Sequence, residues 1–283
     1  MLHTDIISAD SRQFYRELTI GTAKPSPEQL AEVKHHFVGH ISIMEEYNIS
    51  RFEQDCIKLL AELFLTHDTV VMAGGSGLYI DAVCHGIDDQ PEHDFAIRHQ
   101  LQEEYKAKGI GYLQAELLRL DRDYYQSVDL ANPHRIMRAL EVCLITGKPY
   151  SLYRKGFRKQ RDFRIVKIGI DISRAELLVR INRRVDEMMS EGLLEEAGHL
   201  YSVRHLNSLN TVGYKEMFEY LDGTCSLEEA MEKIRINTRR YAKRQMTWFR
   251  KDPDINWINP KYEKEFEKLI KDDFPSTINN LTV

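Results

Sequence analysis

A chain of 283 residues that is 42% hydrophobic and 29% charged has the make-up of a globular protein, long enough to bury a core without disulfide or metal staples. No apolar run approaches the roughly 18 residues of a membrane span, and the N-terminal MLHTDIISAD is no signal peptide. Cys56, Cys84, Cys143 and Cys225 are scattered with no CxxC pair, which suits reduced thiols in a cytoplasmic protein better than a disulfide or zinc framework.

In chain order, Thr4–Ala9 reads as a short buried strand running into Asp10. Ser26-Pro27-Glu28-Gln29 starts a helix, with Ser as N-cap, Pro at N1 and Gln at N3. Ser50 and Glu53 repeat the capping box, and Phe52, Cys56, Leu59, Leu60 and Leu63 follow at helical spacing. Thr69–Ala73 is an apolar run of strand length, ended by Gly74-Gly75-Ser76-Gly77 and followed by another helical segment. Helix, buried strand, glycine turn and helix form the grammar of a parallel sheet with crossover helices.

From Asp88 to Pro133 the chain turns polar, aromatic and helical, an insertion in the α/β alternation. The run from Pro133 to Ile145 reads as a return to the core, with Ile136, Leu140 and Leu144 on one face. This divides the chain into an α/β core, residues 1–87 and 134–283, and an inserted helical subdomain, residues 88–133. Arg164–Ile172 alternates like a strand. Ser173 and Glu176 then cap a long helix to about Ser190, broken at Gly192. Ser226 and Glu229 start the last major helix, which runs to Trp248; Asn256–Ile258 reads as a short closing strand, and the charged stretch from Lys261 as peripheral.

The net charge of −5 hides two basic runs. Lys148–Lys167 holds eight Lys or Arg against Asp162 alone, and Lys233–Lys251 holds eight with no acid. Each is either a solvated face or a field for phosphates. In the second run Arg239, Lys243 and Arg250 fall near one face beside an Arg240/Arg244 stripe, and Trp248 and Phe249 close it. Basic residues interleaved with aromatics suit phosphate contacts plus base stacking.

Asp10 sits where ligands bind in open α/β sheets, beyond the carboxyl end of a strand. There it is a general base, a metal ligand, an acceptor for an amine N–H, or a structural helix N-cap. Gly74–Gly77 offers backbone N–H groups to an anion or a base, or is a tight packing turn; no Lys-Ser/Thr follows it as in a Walker A loop. His35, His36, His40, His93 and His99 lack ligand partners at metal spacing and read as ordinary histidines. Met188 and Met189 read as core residues.

Taken together, IISADSRQFY, IGTAKPS, VMAGGSGLYIDAV, NPHRIMRALEV, LNTVGYKEM and RRYAKRQMTWFRK resemble, in order, the tRNA dimethylallyltransferase family from about residue 5 to residue 258. The resemblance implies a P-loop NTPase-like parallel sheet. It also implies transfer of a five-carbon prenyl group from dimethylallyl diphosphate to N6 of the adenosine at position 37, beside the anticodon, with the base flipped into a channel. Asp10 is similar to the catalytic carboxylate that engages N6, and Ser11, Arg12 and Gln13 stand where the family touches tRNA. Ser76 and Arg98 match two further tRNA contacts, and His134, Arg135, Ile136, Met137 and Arg138 a segment near the anticodon loop. Asn210, Thr211, Val212, Gly213, Tyr214 and Lys215 match another, with Asn210 where a basic residue can stand, which implies one phosphate contact fewer. Lys243, Arg244, Gln245, Met246, Thr247, Trp248, Phe249 and Arg250 match the basic tRNA-contacting segment, and Arg184 a diphosphate-binding arginine. The implied partners are the anticodon stem-loop of tRNA and dimethylallyl diphosphate, with Mg²⁺ as cofactor, in a cytoplasmic monomer.

The family's nucleotide-binding GxxxxGK[ST] loop is expected two to three dozen residues before IISADSRQ, and the 283 residues contain no such loop. The sequence is therefore expected to lack a first strand and the Walker A loop, through truncation, a late start codon or loss of catalysis. Two other functions stay open: a non-catalytic tRNA-binding remnant, and prenyl transfer to free adenine nucleotides.

Overall fold

The structure, a computed structural model, describes residues 2–156 and 158–261, in two compact units. Except for Lys261 itself, the charged tail lies outside the described residues.

Unit 1 comprises residues 1–84 and 161–283. Its elements begin with β1 (Ile6–Ser8), α1 (Pro27–Glu32), β2 (His35–His36), α2 (Ile49–Leu63), β3 (Val71–Ala73) and α3 (Gly77–His85). After α4 (Phe95–Lys108), α5 (Ile110–Leu120), α6 (Arg122–Ser127) and α7 (Pro133–Thr146) of unit 2, it resumes with β4 (Lys167–Ile170) and α8 (Arg174–Ser190). α9 (Leu193–Leu200), α10 (Tyr214–Leu221), α11 (Leu227–Phe249) and β5 (Ile255–Ile258) complete it. β1 is the middle strand of a parallel sheet ordered β2-β1-β3, with Ile7 opposite His36 and Met72. β4 and β5 pair in parallel as a second sheet, with Lys167 opposite Ile255. The α/β class and the parallel pairing expected from buried runs joined by helices are both present.

The caps follow side-chain chemistry. Ser26 and Gln29 form the complete box, as do Ser226 and Glu229. α2 differs from the expectation: Asn48, two residues before Ser50, is the N-cap and accepts from the Arg51 N–H at 2.9 Å. The reason is Glu53, which is buried and holds Arg161 at 2.7 Å instead of reaching back to the backbone. At Ser173 only half the box forms, because Glu176 faces Arg180 and Lys261.

Phe14, fully buried just after the Asp10–Gln13 turn, stacks on Phe52 at 5.2 Å and meets Tyr47 and Tyr79 edge-on at 5.3 and 5.6 Å. This cluster fixes the turn after β1 against α2 and α3.

Unit 2, His85–Gln160, is a helical body whose core gathers Leu101, Leu113, Leu117, Ile136 and Leu140. Its extent corrects the expected boundary of 88–133. α7 packs on α4 and α5, so Pro133–Ile145 is the core of the insertion and not a return to the sheet. At its centre Glu141 is fully buried; it accepts from His93 Nδ1 at 2.9 Å and the Asp94 N–H at 3.0 Å, and pairs with Arg138 at 3.1 Å and Arg98 at 3.3 Å. Burial pushes the Glu141 carboxyl up, but His93 and Arg138 more than offset it and bring it down from 4.5 to about 2.

Because the folded value is depressed, this contribution to stability is full above pH 4.5 and fades as pH falls toward about 2. Glu141→Gln should lower unfolding free energy at pH 7 by about 3 kcal/mol, the range for breaking one side of a buried pair. Denaturant melts across pH should show the gap between wild type and variant closing below pH 4.5.

Candidate active site

The site grows from the carboxyl ends of β1 and β3. Their pairing continues past the strands, with Ala9 N–H donating to Ala73 O at 2.7 Å and Ser76 N–H to Ala9 O at 3.2 Å. A Cβ on Gly74 would lie 2.4 Å from the Ala9 carbonyl carbon, so only glycine lets the two backbones come this close. The approach sets Ser76 beside the turn after β1. Its Oγ accepts from the Ser11 N–H at 3.0 Å and donates to Ser11 Oγ at 3.2 Å.

Asp10 opens that turn rather than a helix. Its Oδ1 accepts from the Arg12 N–H at 2.9 Å and its carbonyl from the Gln13 N–H at 3.0 Å. Oδ2 takes no hydrogen bond among the described residues. The carboxylate is thus oriented by one oxygen and available through the other, on a half-buried residue.

Arg184, on α8, keeps solvent-accessible area yet is surrounded closely enough that burial lowers its pKa, an effect the Asp10 carboxylate opposes. It makes no hydrogen bond or ion pair among the described residues, so its donors are uncommitted within electrostatic reach of the aspartate. Tyr241, on α11, also belongs to this group. Burial raises its phenol, the Asp10 carboxylate adds to the rise, and Ser76, Arg12 and Gln245 work against it.

The flanking loops are tied to one carboxylate. Glu196 accepts from the backbone N–H groups of Thr19, Ile20 and Gly21 at 3.0–3.1 Å and from the Tyr214 hydroxyl at 2.5 Å. The IGT and TVGYK segments, nearly 190 residues apart, are joined there.

The site is thus an acid-bearing turn on a parallel sheet, with an uncommitted arginine and a basic helix around it. Residues 13–252 match the IPP transferase family, IPPT. The chain belongs to this family. It is 51% identical to tRNA dimethylallyltransferase 1 of Bacteroides thetaiotaomicron, across 95% of this chain and 87% of that one. Identity is 54% to tRNA dimethylallyltransferase 2 of Parabacteroides distasonis, across 90% of this chain and 85% of the other. The full-length tRNA isopentenylpyrophosphate transferase of Bacillus halodurans superposes with a TM-score of 0.68 at 34% identity, over 98% of this chain and 90% of its own. A eukaryotic dimethylallyltransferase acting on tRNA shares the fold, with a TM-score of 0.78 at 23% identity, covering 97% of this chain and 74% of its own.

Within this IPP transferase, the structure brings together Asp10, Ser11, Ser76, Arg184 and the 241–248 face of α11. Several residues expected to touch tRNA are spent internally. Gln13 donates to the carbonyls of Thr22 and Ala23 and accepts from Ser8. Arg12 holds the carbonyls of Asn207 and Ser208. Ile136, Met137, Gly213 and Tyr214 are buried and offer no side chain to a partner; burial, and then Glu196, push the Tyr214 phenol up. Arg98 and Arg138 are half-buried on Glu141, and Arg239 is engaged by Asn182 and Glu232. His134, Arg135, Asn210, Lys215, Lys243, Arg244, Thr247 and Arg250 remain exposed, with Thr211, Val212, Met246 and Phe249 half-buried. Within the first basic run, Arg161, Lys167 and Lys159 pair with Glu53, Asp252 and Asp89.

The sequence reading missed Tyr241, Glu196 and Glu141. Glu141 did leave a signal, an acid inside the apolar run IMRALEVCLI. No group of three or more His, Cys, Asp or Glu among the described residues could hold a metal ion.

Gly74→Ala should drive Cβ into the Ala9 backbone and cost about 2 kcal/mol or more in unfolding free energy. Gly198→Ala, inside α9 with nothing within 4 Å of its Cβ, should gain up to about 1 kcal/mol. Parallel denaturant melts of the two variants check both signs.

Proposed function

We propose that this protein transfers the dimethylallyl group of dimethylallyl diphosphate to N6 of adenosine 37, beside the anticodon of tRNA, in the cytoplasm. The observation that carries the reading is the half-satisfied Asp10 carboxylate at the carboxyl end of β1, in a chain of this family. An exocyclic amine is a weak nucleophile, and an oriented carboxylate can both fix its lone pair and receive its proton. The adenine leaves the stack and presents N6 to Asp10 Oδ2. The N6 lone pair forms a bond to C1 of the prenyl group as the C1–O bond breaks and its electron pair departs with the diphosphate. The N6 proton passes to Asp10. Arg184, positively charged at any physiological pH, faces the charge that develops on the leaving group.

Mg²⁺ would neutralise diphosphate charge when bound. The described residues offer it no group of three or more His, Cys, Asp or Glu. The exposed stripe of Arg240, Lys243 and Arg244 supplies phosphate contacts.

Radiolabelled dimethylallyl diphosphate and an anticodon stem-loop test the reading. Label should enter adenosine 37, and none should enter a stem-loop with inosine at that position, which lacks the amine, or free AMP. Asp10→Ala should lower turnover by about 10²-fold or more, the range for losing a general base, with tRNA affinity within a few-fold. Full turnover in that variant would remove Asp10 from the role. Replacing Arg240 and Lys243 by Ala should weaken stem-loop binding and reduce the slope of log affinity against log salt by about 1 per lost phosphate contact.

A further inference from the structure

Tyr241, Gln245 and Trp248 recur on α11 at i, i+4 and i+7, one face of the helix; Gln245 and Trp248 reach the glycine turn from it, while Tyr241 and Trp248 keep part of their surface exposed. Gln245 Nε2 donates to the Gly75 carbonyl at 2.9 Å; a Cβ on Gly75 would stand 1.9 Å from that nitrogen. The Trp248 ring covers Gly77, where a Cβ would come within 2.5 Å of Cδ1, and its Nε1 donates to Asp81 Oδ2 at 2.9 Å, one turn into α3. Both side chains therefore end on the segment that carries Ser76. Ser76 in turn bonds to both neighbours of Asp10, the Ala9 carbonyl and the Ser11 N–H, at 3.2 and 3.0 Å.

We infer that Gln245 and Trp248 are positioning residues for the transfer reaction: they hold the Gly74–Gly77 turn, and through Ser76 the backbone on either side of Asp10. The family resemblance placed both residues among the tRNA contacts. The Trp248 Nε1–H and one N–H of Gln245 are instead committed to Asp81 and Gly75. A consequence follows for the basic stripe on α11. Arg240, Lys243 and Arg244 stand on the same rigid helix, so a tRNA docked on that stripe meets an Asp10 whose position the helix itself sets. Small displacements of a reacting group cost orders of magnitude in rate, which makes such a brace a kinetic element and not only a structural one.

This inference rests on the proposed prenyl transfer. Gln245→Met and Trp248→Phe keep bulk and remove the donor; Asp81→Leu removes the acceptor, whereas Asp81→Asn retains one. The full chain with these changes would be compared for turnover and KM on the stem-loop, for stem-loop Kd across salt, and for deuterium uptake of residues 70–82. The first three variants should lose about tenfold or more in kcat, with Kd within about threefold and the salt slope unchanged, since no phosphate contact is removed. Their uptake in 70–82 should rise, and Asp81→Asn should stay near wild type in each. Weakened Kd and raised KM with kcat retained would make Gln245 and Trp248 RNA contacts and overturn the inference, as would wild-type kcat in Asp81→Leu. Should the wild-type chain transfer no prenyl group, the functional proposal falls, and the exchange data alone decide the brace: raised uptake upholds it and unchanged uptake refutes it.

Discussion

Where β3 leaves its sheet it meets the end of β1 backbone to backbone, with the Gly74 α-carbon against the Ala9 carbonyl. Everything on the base-facing side of the site depends on that approach. It brings a serine from one loop into hydrogen-bonding range of the turn that begins with Asp10, and leaves the carboxylate held by one oxygen with the other uncommitted. A side chain on residue 74 would part the strands and separate Ser76 from Ser11. The buried stack of Phe14 on Phe52 lies just beyond this turn and keeps it from sliding.

Around that point the polar side chains divide into two kinds. Arg12, Glu196 and Tyr214 join segments distant in sequence, Gln13 ties together the segments on either side of its own turn, and Glu216 receives the Gly213 N–H at 2.8 Å and Asn237 of α11 at 2.7 Å. These residues rigidify the frame, because a buried polar group keeps its value only while every partner is present. Arg184 and the α11 stripe are the other kind. They are cationic groups held in place by their helices with donors to spare, which suits binding of a polyanion. The match of six ordered motifs to one family does not separate the two kinds, since a motif records which residues recur together and not which of them face a ligand.

Much of the frame was legible in the residues. Apolar β-branched runs marked β1 and β3, and Ser26 and Ser226 marked helix starts because a cap is a local contract between residues three apart. Asp10 and the basic stretch of α11 stood out by position and by charge. What was not legible depends on long-range partners. Nothing local shows that Glu53 will be taken by Arg161, which moves the start of α2 to Asn48. Nor does α7 reveal from its own pattern that its apolar face lies on α4 and α5, because a helix stripe specifies burial without naming the partner. Tyr241 was passed over because an aromatic on an amphipathic helix is ordinarily core; only the fold puts its phenol beside Asp10.

The central claim is that the free oxygen of Asp10 is the acceptor for an exocyclic amine of a base drawn out of a tRNA loop. An experimental structure of the full chain with an anticodon stem-loop tests it most directly. The account requires adenosine 37 unstacked, with N6 at hydrogen-bond distance, about 2.6–3.2 Å, from Asp10 Oδ2 and the Ser76–Ser11 bridge intact. A base still stacked in its loop, or an N6 engaged by another side chain with Asp10 facing solvent, would contradict it.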